Sequence, residues 1–252
     1  MCFAFDASPP DLPADLAPIA GGAGAELLEL ESADGTRFSA ALAESPEPRG
    51  RAVVILPDVR GLYPFYSELA ERFAAAGHHA IAIDYFGRTA GLGPRGEDFE
   101  YMPHVRQTRP RTVQEDAAAA LAALRERTGA GAASSVGFCF GGTQSFLAST
   151  NEALGLDGVI GFYGSLSVER WGDMSPIRRA VDMHGPVLGL FGGADEGIPL
   201  NQLEAFDAAL AEAGVEHEIV TYPGAPHSFF DRRYEEHAEA CADAWRRVLA
   251  FL

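Results

Sequence analysis

The chain has 252 residues, of which 47% are hydrophobic and 22% charged, a balance typical of an ordinary globular protein. Its formal net charge of −17 argues against a nucleic-acid partner, because phosphate binding needs a basic face. All 19 basic residues are arginines, which excludes Schiff-base chemistry and a lysine-containing phosphate loop on this chain.

The N-terminal 24 residues are rich in proline, alanine and glycine and show no periodicity. They predict an extended arm over the surface rather than a domain. The arm lacks the basic and apolar regions of a secretory signal, and no apolar run in the chain reaches the ~18–20 residues of a membrane-spanning helix. The three cysteines are too few for a disulfide framework. These features predict a cytoplasmic protein with reduced thiols.

Residues 25–252 predict a single α/β domain. An antiparallel hairpin over 26–32 and 36–43 comes first, and apolar runs then alternate with amphipathic segments. The predicted strands are 52–57, 79–84, 134–138, 157–163, 186–192 and 216–222, and the predicted helices are 66–76, 112–127, 142–150, 199–213 and 234–252. This alternation predicts a mostly parallel central sheet with helices on both faces. Residues 85–110 are predicted to form a long loop, followed by a capping box of Thr112 and Glu115.

The segment Gly137-Phe138-Cys139-Phe140-Gly141 lies between a predicted strand and a predicted helix. This is the context of a nucleophile elbow, in which a sharp turn exposes the reactive side chain. Residues two positions away on either side are pressed together and must be small. The turn also points the thiol at the positive end of the next helix, which favours thiolate. Cys139 is therefore the candidate nucleophile.

An acid and a histidine follow in the order that the elbow fold requires. Asp195 and His227 each come just after a later predicted strand, at the edge of the sheet where ligands bind. In a triad, Cys139 attacks an acyl carbon, His227 receives the thiol proton and later activates water, and Asp195 fixes the imidazole tautomer. The alternative is that Cys139 is an inert buried thiol, and that Asp195 and His227 are ordinary loop residues.

The oxyanion of such a reaction needs two backbone N–H donors. Phe140, directly after the nucleophile, is one candidate. Val59, in the loop after the strand 52–57, is the other.

Other reactive residue types are predicted to be structural. Cys241 lies on the apolar face of the last helix, and Cys2 is terminal. Asp84 ends a strand but precedes the nucleophile, so it is interpreted as a cap for loop N–H groups. No cluster of His, Cys and acidic residues has metal-ligand spacing, and no metal or cofactor is expected.

With these motifs the sequence resembles the dienelactone hydrolase (carboxymethylenebutenolidase) family. The resemblance covers roughly 50–252 and rests on GFCFGG and PHSF, together with LPDVRG, IDYFGR, GFYG, GGADEGIP and YPGAPHSFF. It implies an α/β-hydrolase fold with a cysteine nucleophile. It also assigns the triad to Cys139, Asp195 and His227.

The resemblance implies roles for four further residues. Asp58 stands where the family usually has a glutamate that helps to ionise the cysteine, with the alternative that it only ties down its own loop. Arg88 matches an arginine that binds the substrate carboxylate. The second arginine of the family is replaced by Asp231, with Arg232 directly after it. Tyr163 matches a pocket aromatic, with plain packing as the alternative.

The sequence therefore predicts a hydrolase that cleaves a small ester or lactone through a cysteinyl thioester. The substrate is a small molecule that carries a carboxylate if the arginine clamp operates. A broad carboxylesterase or thioesterase of the same fold is one alternative. A redox-sensing or ligand-binding protein without turnover is the other. The chain is expected to be a monomer or a homodimer without nucleic-acid or membrane partners.

Overall fold

The computed structural model describes residues 7–16, 24–167, 172–230 and 235–252. A sheet of eight strands forms the centre of this part of the chain, in the order β1-β2-β4-β3-β5-β6-β7-β8. The strands are β1 Glu26–Glu31, β2 Arg37–Ala43, β3 Ala52–Leu56, β4 Ala80–Ile83, β5 Ala133–Phe138, β6 Val159–Phe162, β7 Val187–Gly192 and β8 His217–Tyr222.

The six strands β4-β3-β5-β6-β7-β8 are parallel to one another. Strand β2 of the hairpin β1–β2 pairs with β4 in antiparallel orientation. The predicted mostly parallel sheet with an N-terminal antiparallel hairpin is confirmed. The strand order reverses at β3, which lies between β4 and β5. Leu56 at the end of β3 pairs in register with Gly137 near the end of β5. The loops that leave these two strands therefore meet at one edge, where ligands bind in open α/β sheets.

Eight α-helices are present in the described residues. They are α1 Pro64–Ala75, α2 Gly87–Ala90, α3 Tyr101–Gln107, α4 Pro110–Thr128, α5 Phe140–Ala148, α6 Pro176–Arg179, α7 Leu200–Ala213 and α8 Ala238–Phe251. All five predicted helices occur, with ends that differ by a few residues. Helix α1 begins earlier than predicted because Pro64, with its fixed φ and no N–H to satisfy, suits the first turn.

Two predictions for the segment after β4 were wrong. Residues 85–110 are not one loop, because the short helices α2 and α3 lie within them. The capping box is also absent, since α4 begins at Pro110 and Thr112 lies inside the first turn. There the hydroxyl of Thr112 donates to the carbonyl oxygen of Arg109 at 2.9 Å instead of accepting a helix N–H.

The side chains of β3 alternate between two apolar clusters, one on each face of the sheet. Val53 and Ile55 belong to the cluster that contains the buried side of α1, and Val54 and Leu56 to the cluster that contains α4. Each such buried side chain contributes about 1.5–3 kcal/mol. Since helices cover both faces, every residue of β3 is buried and the strand is apolar throughout.

Residues 7–16 of the predicted arm lie against α1 and α8. The indole Nε1 of Trp245 donates to the carbonyl oxygen of Pro10 at 3.2 Å, and Arg246 binds Asp15 at 2.9 Å. Arg72 of α1 binds Asp11 at 3.0 Å. These residues thus fix the described part of the arm to the molecule. The division into an arm and a single domain remains a prediction.

Among the described residues, no helix combines the length and the apolar character that crossing a membrane requires.

Candidate active site

Cys139 occupies the turn between β5 and α5, with φ 53° and ψ −112°. This positive-φ conformation is costly for a residue with a Cβ, and it persists only where the surrounding structure enforces it. The N–H of Cys139 donates to the carbonyl oxygen of Phe162 at 3.0 Å, and its own carbonyl accepts the N–H of Thr143 at 3.2 Å. The residue caps the N-terminal end of the nine-residue helix α5, where the helix dipole favours a negative charge.

Glycines two residues before and after Cys139 make this turn possible. A Cβ on Gly137 would lie 2.0 Å from the carbonyl oxygen of Gly141. A Cβ on Gly141 would lie 1.9 Å from the carbonyl oxygen of Leu56, at the end of β3. No side chain fits at either position, which explains the spacing of the two glycines in the sequence.

The carboxylate of Asp195 is hydrogen-bonded to His227. Asp195 follows β7 and His227 follows β8, and Oδ2 of Asp195 lies 2.6 Å from Nδ1 of His227. The other oxygen, Oδ1, accepts the N–H of Gly197 at 2.9 Å. The side chain of Asp195 is 3% exposed and that of His227 is 31% exposed. A carboxylate oxygen at this distance orients the imidazole with its proton on Nδ1.

The loops that carry these two residues are packed against each other. A Cβ on Gly192 would lie 2.3 Å from the carbonyl oxygen of Ala225, so the loop after β8 crosses directly over the end of β7. The N–H of Ala194 also donates to the carbonyl oxygen of Ala225, at 2.9 Å. These backbone contacts bring Asp195 and His227 together although 32 residues separate them.

Tyr163 lies between the elbow and the histidine. It directly follows Phe162, whose carbonyl accepts the Cys139 N–H, and its ring centroid is 5.0 Å from that of His227. Its backbone has φ 37°, a second strained position at this edge of the sheet. The side chain is fully buried and also contacts Phe138 and Phe229. Tyr163 therefore packs both near the elbow and against His227. Its contact with substrate remains a prediction.

The loop after β3 carries Asp58 and Val59 and is held at several points. The hydroxyl of Tyr66 accepts the N–H of Asp58 at 2.9 Å, and the hydroxyl of Tyr85 donates to the Asp58 carbonyl. The Asp58 carboxylate is fully buried, accepts the N–H of Arg60 at 2.8 Å and lies 3.7 Å from the Arg60 guanidinium. Val59 is half-buried and follows it at the same edge of the sheet as Cys139. Phe140, the other predicted oxyanion donor, begins α5.

The guanidinium of Arg88 binds three carboxylates of the hairpin turn and of α4. It contacts Asp116 at 2.8 Å, Glu115 at 3.3 Å, and Asp34. The hydrogen bond from Arg88, with added N–H and hydroxyl bonds from Thr36, lowers the pKa of Asp34 to about 2, so this partner is ionised at neutral pH. A substrate carboxylate would have to compete with these groups. The predicted substrate contact of Arg88 remains a prediction, and Arg232 lies outside the described residues.

Sequence reasoning missed a buried ion pair beside the Asp58 loop. Asp84, predicted to cap loop N–H groups, accepts the N–H of Leu62 at 3.5 Å and that of Phe86 at 3.4 Å. Its Oδ2 also accepts two bonds from Arg95, at 2.9 and 2.6 Å. Burial raises the pKa of Asp84, and the bonds from Arg95 oppose that rise. No local sequence pattern around Arg95 marks it as the partner of Asp84.

Within the described part of the chain, no group of three or more His, Cys, Asp or Glu side chains is arranged to hold a metal ion.

Comparison with known proteins gives matches over most of the chain. The model of the dienelactone hydrolase family matches residues 38–252. A protein of Yersinia pestis assigned as a carboxymethylenebutenolidase is 30% identical over 202 residues, which is 78% of this chain and 75% of that protein. A protein of Saccharolobus solfataricus with the same assignment is 28% identical over 254 residues, covering 87% of this chain and 95% of that one.

Among solved structures, a protein of Klebsiella pneumoniae assigned as a dienelactone hydrolase superposes with a TM-score of 0.76. The two sequences are 27% identical, and the match covers 90% of this chain and 98% of that one.

Proposed function

The chain belongs to the dienelactone hydrolase family of α/β-hydrolases, and we propose from this premise that it hydrolyses a small ester or lactone with Cys139 as nucleophile. The observation that carries the proposal is the 2.6 Å bond between Asp195 and His227, at the same edge of the sheet as a cysteine in an elbow conformation with φ 53°. An oriented imidazole and a partly buried thiol at the same edge of the sheet are the groups that nucleophilic acyl transfer requires.

In the proposed reaction, Sγ of Cys139 attacks the acyl carbon and its proton passes to Nε2 of His227. The N–H groups of Phe140 and Val59 donate to the oxyanion that forms on the carbonyl oxygen. Collapse of the tetrahedral intermediate forms a thioester, and His227 returns the proton to the departing alkoxide. His227 then takes a proton from water, which attacks the thioester and releases the acid and the thiol. Asp195 holds the imidazole in one tautomer and stabilises its positive charge.

A cysteine suits activated acyl groups. The thiolate is a strong nucleophile, but it is also a good leaving group. The tetrahedral intermediate therefore collapses back to the starting ester unless the alcohol departs readily. Activated lactones and esters of acidic alcohols meet this condition better than unactivated amides. The buried Asp58 carboxylate is part of the proposal as the group that influences ionisation of the Cys139 thiol. Arg88 and Arg232 are proposed contacts for a substrate carboxylate, and Tyr163 for the body of the substrate.

A panel of small lactones and p-nitrophenyl esters tests the proposal on the wild type, Cys139→Ala and Cys241→Ala. We expect turnover by the wild type and by Cys241→Ala, and a loss of at least a thousandfold in Cys139→Ala with an unchanged circular dichroism spectrum. Cys241 is a matched control because it is the other cysteine in the described residues and is buried away from solvent.

Iodoacetamide should abolish hydrolysis while one carboxamidomethyl group appears on Cys139 by mass spectrometry. Retained turnover in Cys139→Ala would refute the mechanism. A wild type that is alkylated at Cys139 and hydrolyses no member of the panel would favour the redox-sensing or ligand-binding alternative. The relative rates on lactones and simple esters separate a lactonase from a broad esterase.

A further inference from the structure

A groove of about 620 Å³ lies between the N-terminal hairpin, the start of α1 and the segment 92–96. None of the proposed catalytic residues lines it. Its apolar walls include Leu27 and Leu28 of β1, Leu62 and Pro64 before and at the start of α1, and Leu92 and Pro94 opposite. We propose that this groove is a second binding site, for an uncharged and largely apolar group such as an alkyl chain or an aryl ring.

The size of the groove fits a small molecule. Pockets that bind such ligands in proteins have volumes of about 300–1,000 Å³ and are lined mainly by apolar side chains with a few polar groups. Here the hydroxyl-bearing residues Ser39 on β2 and Ser67 on α1 supply the polar groups. The groove is therefore neither a crevice for single waters nor a flat surface.

Exposed apolar side chains lie at this groove. Five large hydrophobic residues are exposed in the described part of the chain, and two of them, Leu27 at 73% and Leu92 at 37%, line the groove. Keeping such side chains in water is unfavourable by roughly 25 cal/mol per Å² of apolar surface. An apolar occupant would cover both, which accounts for their placement.

The charges at the groove are already paired, which decides against an ionic ligand. Arg95 is 5% exposed and gives two of its donors to Asp84. Glu29, at the outer side, forms an ion pair with Arg37. A charged ligand would lose its hydration and find no opposite charge that lacks a partner, so the favoured occupant is neutral.

The wall formed by 92–96 is held in place before any ligand arrives. The guanidinium of Arg95 donates to the carbonyl oxygen of Gly91 at 2.6 Å and lies 4.7 Å from the ring centroid of Phe99, in addition to its bonds with Asp84. A fixed wall lowers the entropy that binding would otherwise cost.

The groove also connects to the loop that carries Val59. Asp84, which anchors Arg95, accepts the N–H of Leu62, and Leu62 lines the groove. An occupant therefore contacts the same segment that supplies the proposed oxyanion donor. The apolar group can belong to the substrate itself or to a separate effector, and both have the chemistry described.

Binding of N-phenyl-1-naphthylamine, a neutral fluorescent aryl probe, tests the site. The titration uses Cys139→Ala as background, so that it does not depend on turnover and its failure is distinguishable from failure of the hydrolase proposal. We expect saturable binding with one probe per chain. Leu27→Glu and Ser67→Trp should each weaken binding at least tenfold, the first by adding a charge at the mouth and the second by filling the groove.

Val181→Glu is the matched control, because Val181 is also 73% exposed and does not line the groove. It should bind the probe like the parent. Thermal melts of all variants show whether each is folded, and Leu27→Glu changes an exposed side chain that folding does not require. No saturable binding by the parent, or equal binding by folded Leu27→Glu and Ser67→Trp, would overturn the proposal.

Kinetics in the wild-type background show whether the apolar group in the groove is part of the substrate or a separate effector. If the apolar group belongs to the substrate, Leu27→Glu raises KM for p-nitrophenyl octanoate severalfold and leaves that for the acetate unchanged. If it is a separate effector, the probe changes kcat for the acetate without competing with it. A dimer in sedimentation that Leu27→Glu dissociates would assign the groove to a second copy of the chain, and would overturn the small-molecule proposal.

Discussion

Oδ2 of Asp195 lies 2.6 Å from Nδ1 of His227, and the second oxygen of the same carboxylate accepts the N–H of Gly197 at 2.9 Å. The carboxylate is thus fixed at both oxygens, and its side chain is almost completely shielded from water. A hydrogen bond to a buried charged group is stronger than one between neutral groups. The Asp195 carboxylate therefore gives the imidazole of His227 a fixed hydrogen-bond partner that is shielded from solvent.

Asp195→Asn should lower kcat by about 100- to 10,000-fold with little change in KM, because the amide can hold the wrong imidazole tautomer and cannot stabilise its charge. Steady-state kinetics on p-nitrophenyl acetate measure the effect. Asp207→Asn is a matched control, since Asp207 forms another His–Asp pair, with His217 at 3.3 Å. The control should retain wild-type kinetics, and equal activity in both variants would contradict the role of Asp195.

The elbow glycine Gly141 makes a second prediction, about stability. A Cβ at this position would lie 1.9 Å from the carbonyl oxygen of Leu56 and 2.3 Å from that of Pro57. Both neighbours are backbone atoms at the end of a central strand and cannot rotate away. Gly141→Ala should therefore cost about 3 kcal/mol or more in the free energy of unfolding, measured in urea.

Gly131→Ala provides the comparison, because a Cβ there meets no atom within 4 Å. It should change the free energy of unfolding by less than about 0.5 kcal/mol, as for an ordinary surface substitution. A Gly141→Ala protein as stable as Gly131→Ala would mean that the elbow is looser than its contacts indicate.

The elbow and the alternation of strands and helices were predictable from the sequence because local rules determine them. The glycines flanking Cys139 reflect clashes within five consecutive residues, and apolar runs such as 52–56 reflect burial on both faces. The family resemblance drawn from GFCFGG and PHSF is confirmed by the family model and by relatives at about 30% identity. The fold and family were therefore predictable before any coordinates.

The contacts of Arg88 and Arg95 were not predictable in the same way. Arg88 binds Asp34 and Asp116, which lie 54 and 28 residues away in the sequence, so only the tertiary structure brings them together. The helices α2 and α3 were missed because they are short and occur among glycines and prolines, where no period can develop. Distant pairing of charges leaves no local signal.

Arg88 therefore gives a third prediction, which separates a structural role from substrate binding. Arg88→Gln removes the partner of Asp116, whose side chain is fully buried, and should cost on the order of 3 kcal/mol of unfolding free energy. Because the Arg88 guanidinium is the proposed contact for a substrate carboxylate, we expect KM for mono-p-nitrophenyl succinate, an ester with a carboxylate, to rise at least tenfold, with no rise for p-nitrophenyl acetate. Arg178→Gln removes an exposed ion pair with Asp173 and should cost less than about 1 kcal/mol.

A KM for the succinate ester within twofold of the wild type would contradict the proposed substrate contact. Arg88 would then serve only to bind Asp34, Glu115 and Asp116. The neutral ester thus serves as the internal reference for the charged one.

The buried histidine His79 makes the last prediction, a pH dependence of stability. Its Nδ1 accepts the N–H of Ser45 at 3.1 Å, which requires the neutral ring. Burial lowers the pKa of His79 from the ordinary value of 6.5, and the nearby Glu44 charge opposes this only in part. As the pH falls below 6.5, the unfolded chain therefore binds a proton that the folded chain does not. The free energy of unfolding must fall with pH between 6.5 and the lower folded pKa, by at most about 1.4 kcal/mol per pH unit from this group.

His79→Gln removes that titration while keeping a side-chain oxygen that can accept the Ser45 N–H. Urea unfolding of both proteins from pH 7.5 to 5.0 measures how the free energy of unfolding changes with pH. Below pH 6.5, this free energy should fall more steeply with decreasing pH in the wild type than in the variant. Burial also lowers the pKa of His78, but this residue is present in both proteins and cancels in the difference. Parallel stability curves would show that His79 binds its proton equally in the folded and unfolded chains, contrary to its acceptor role toward Ser45.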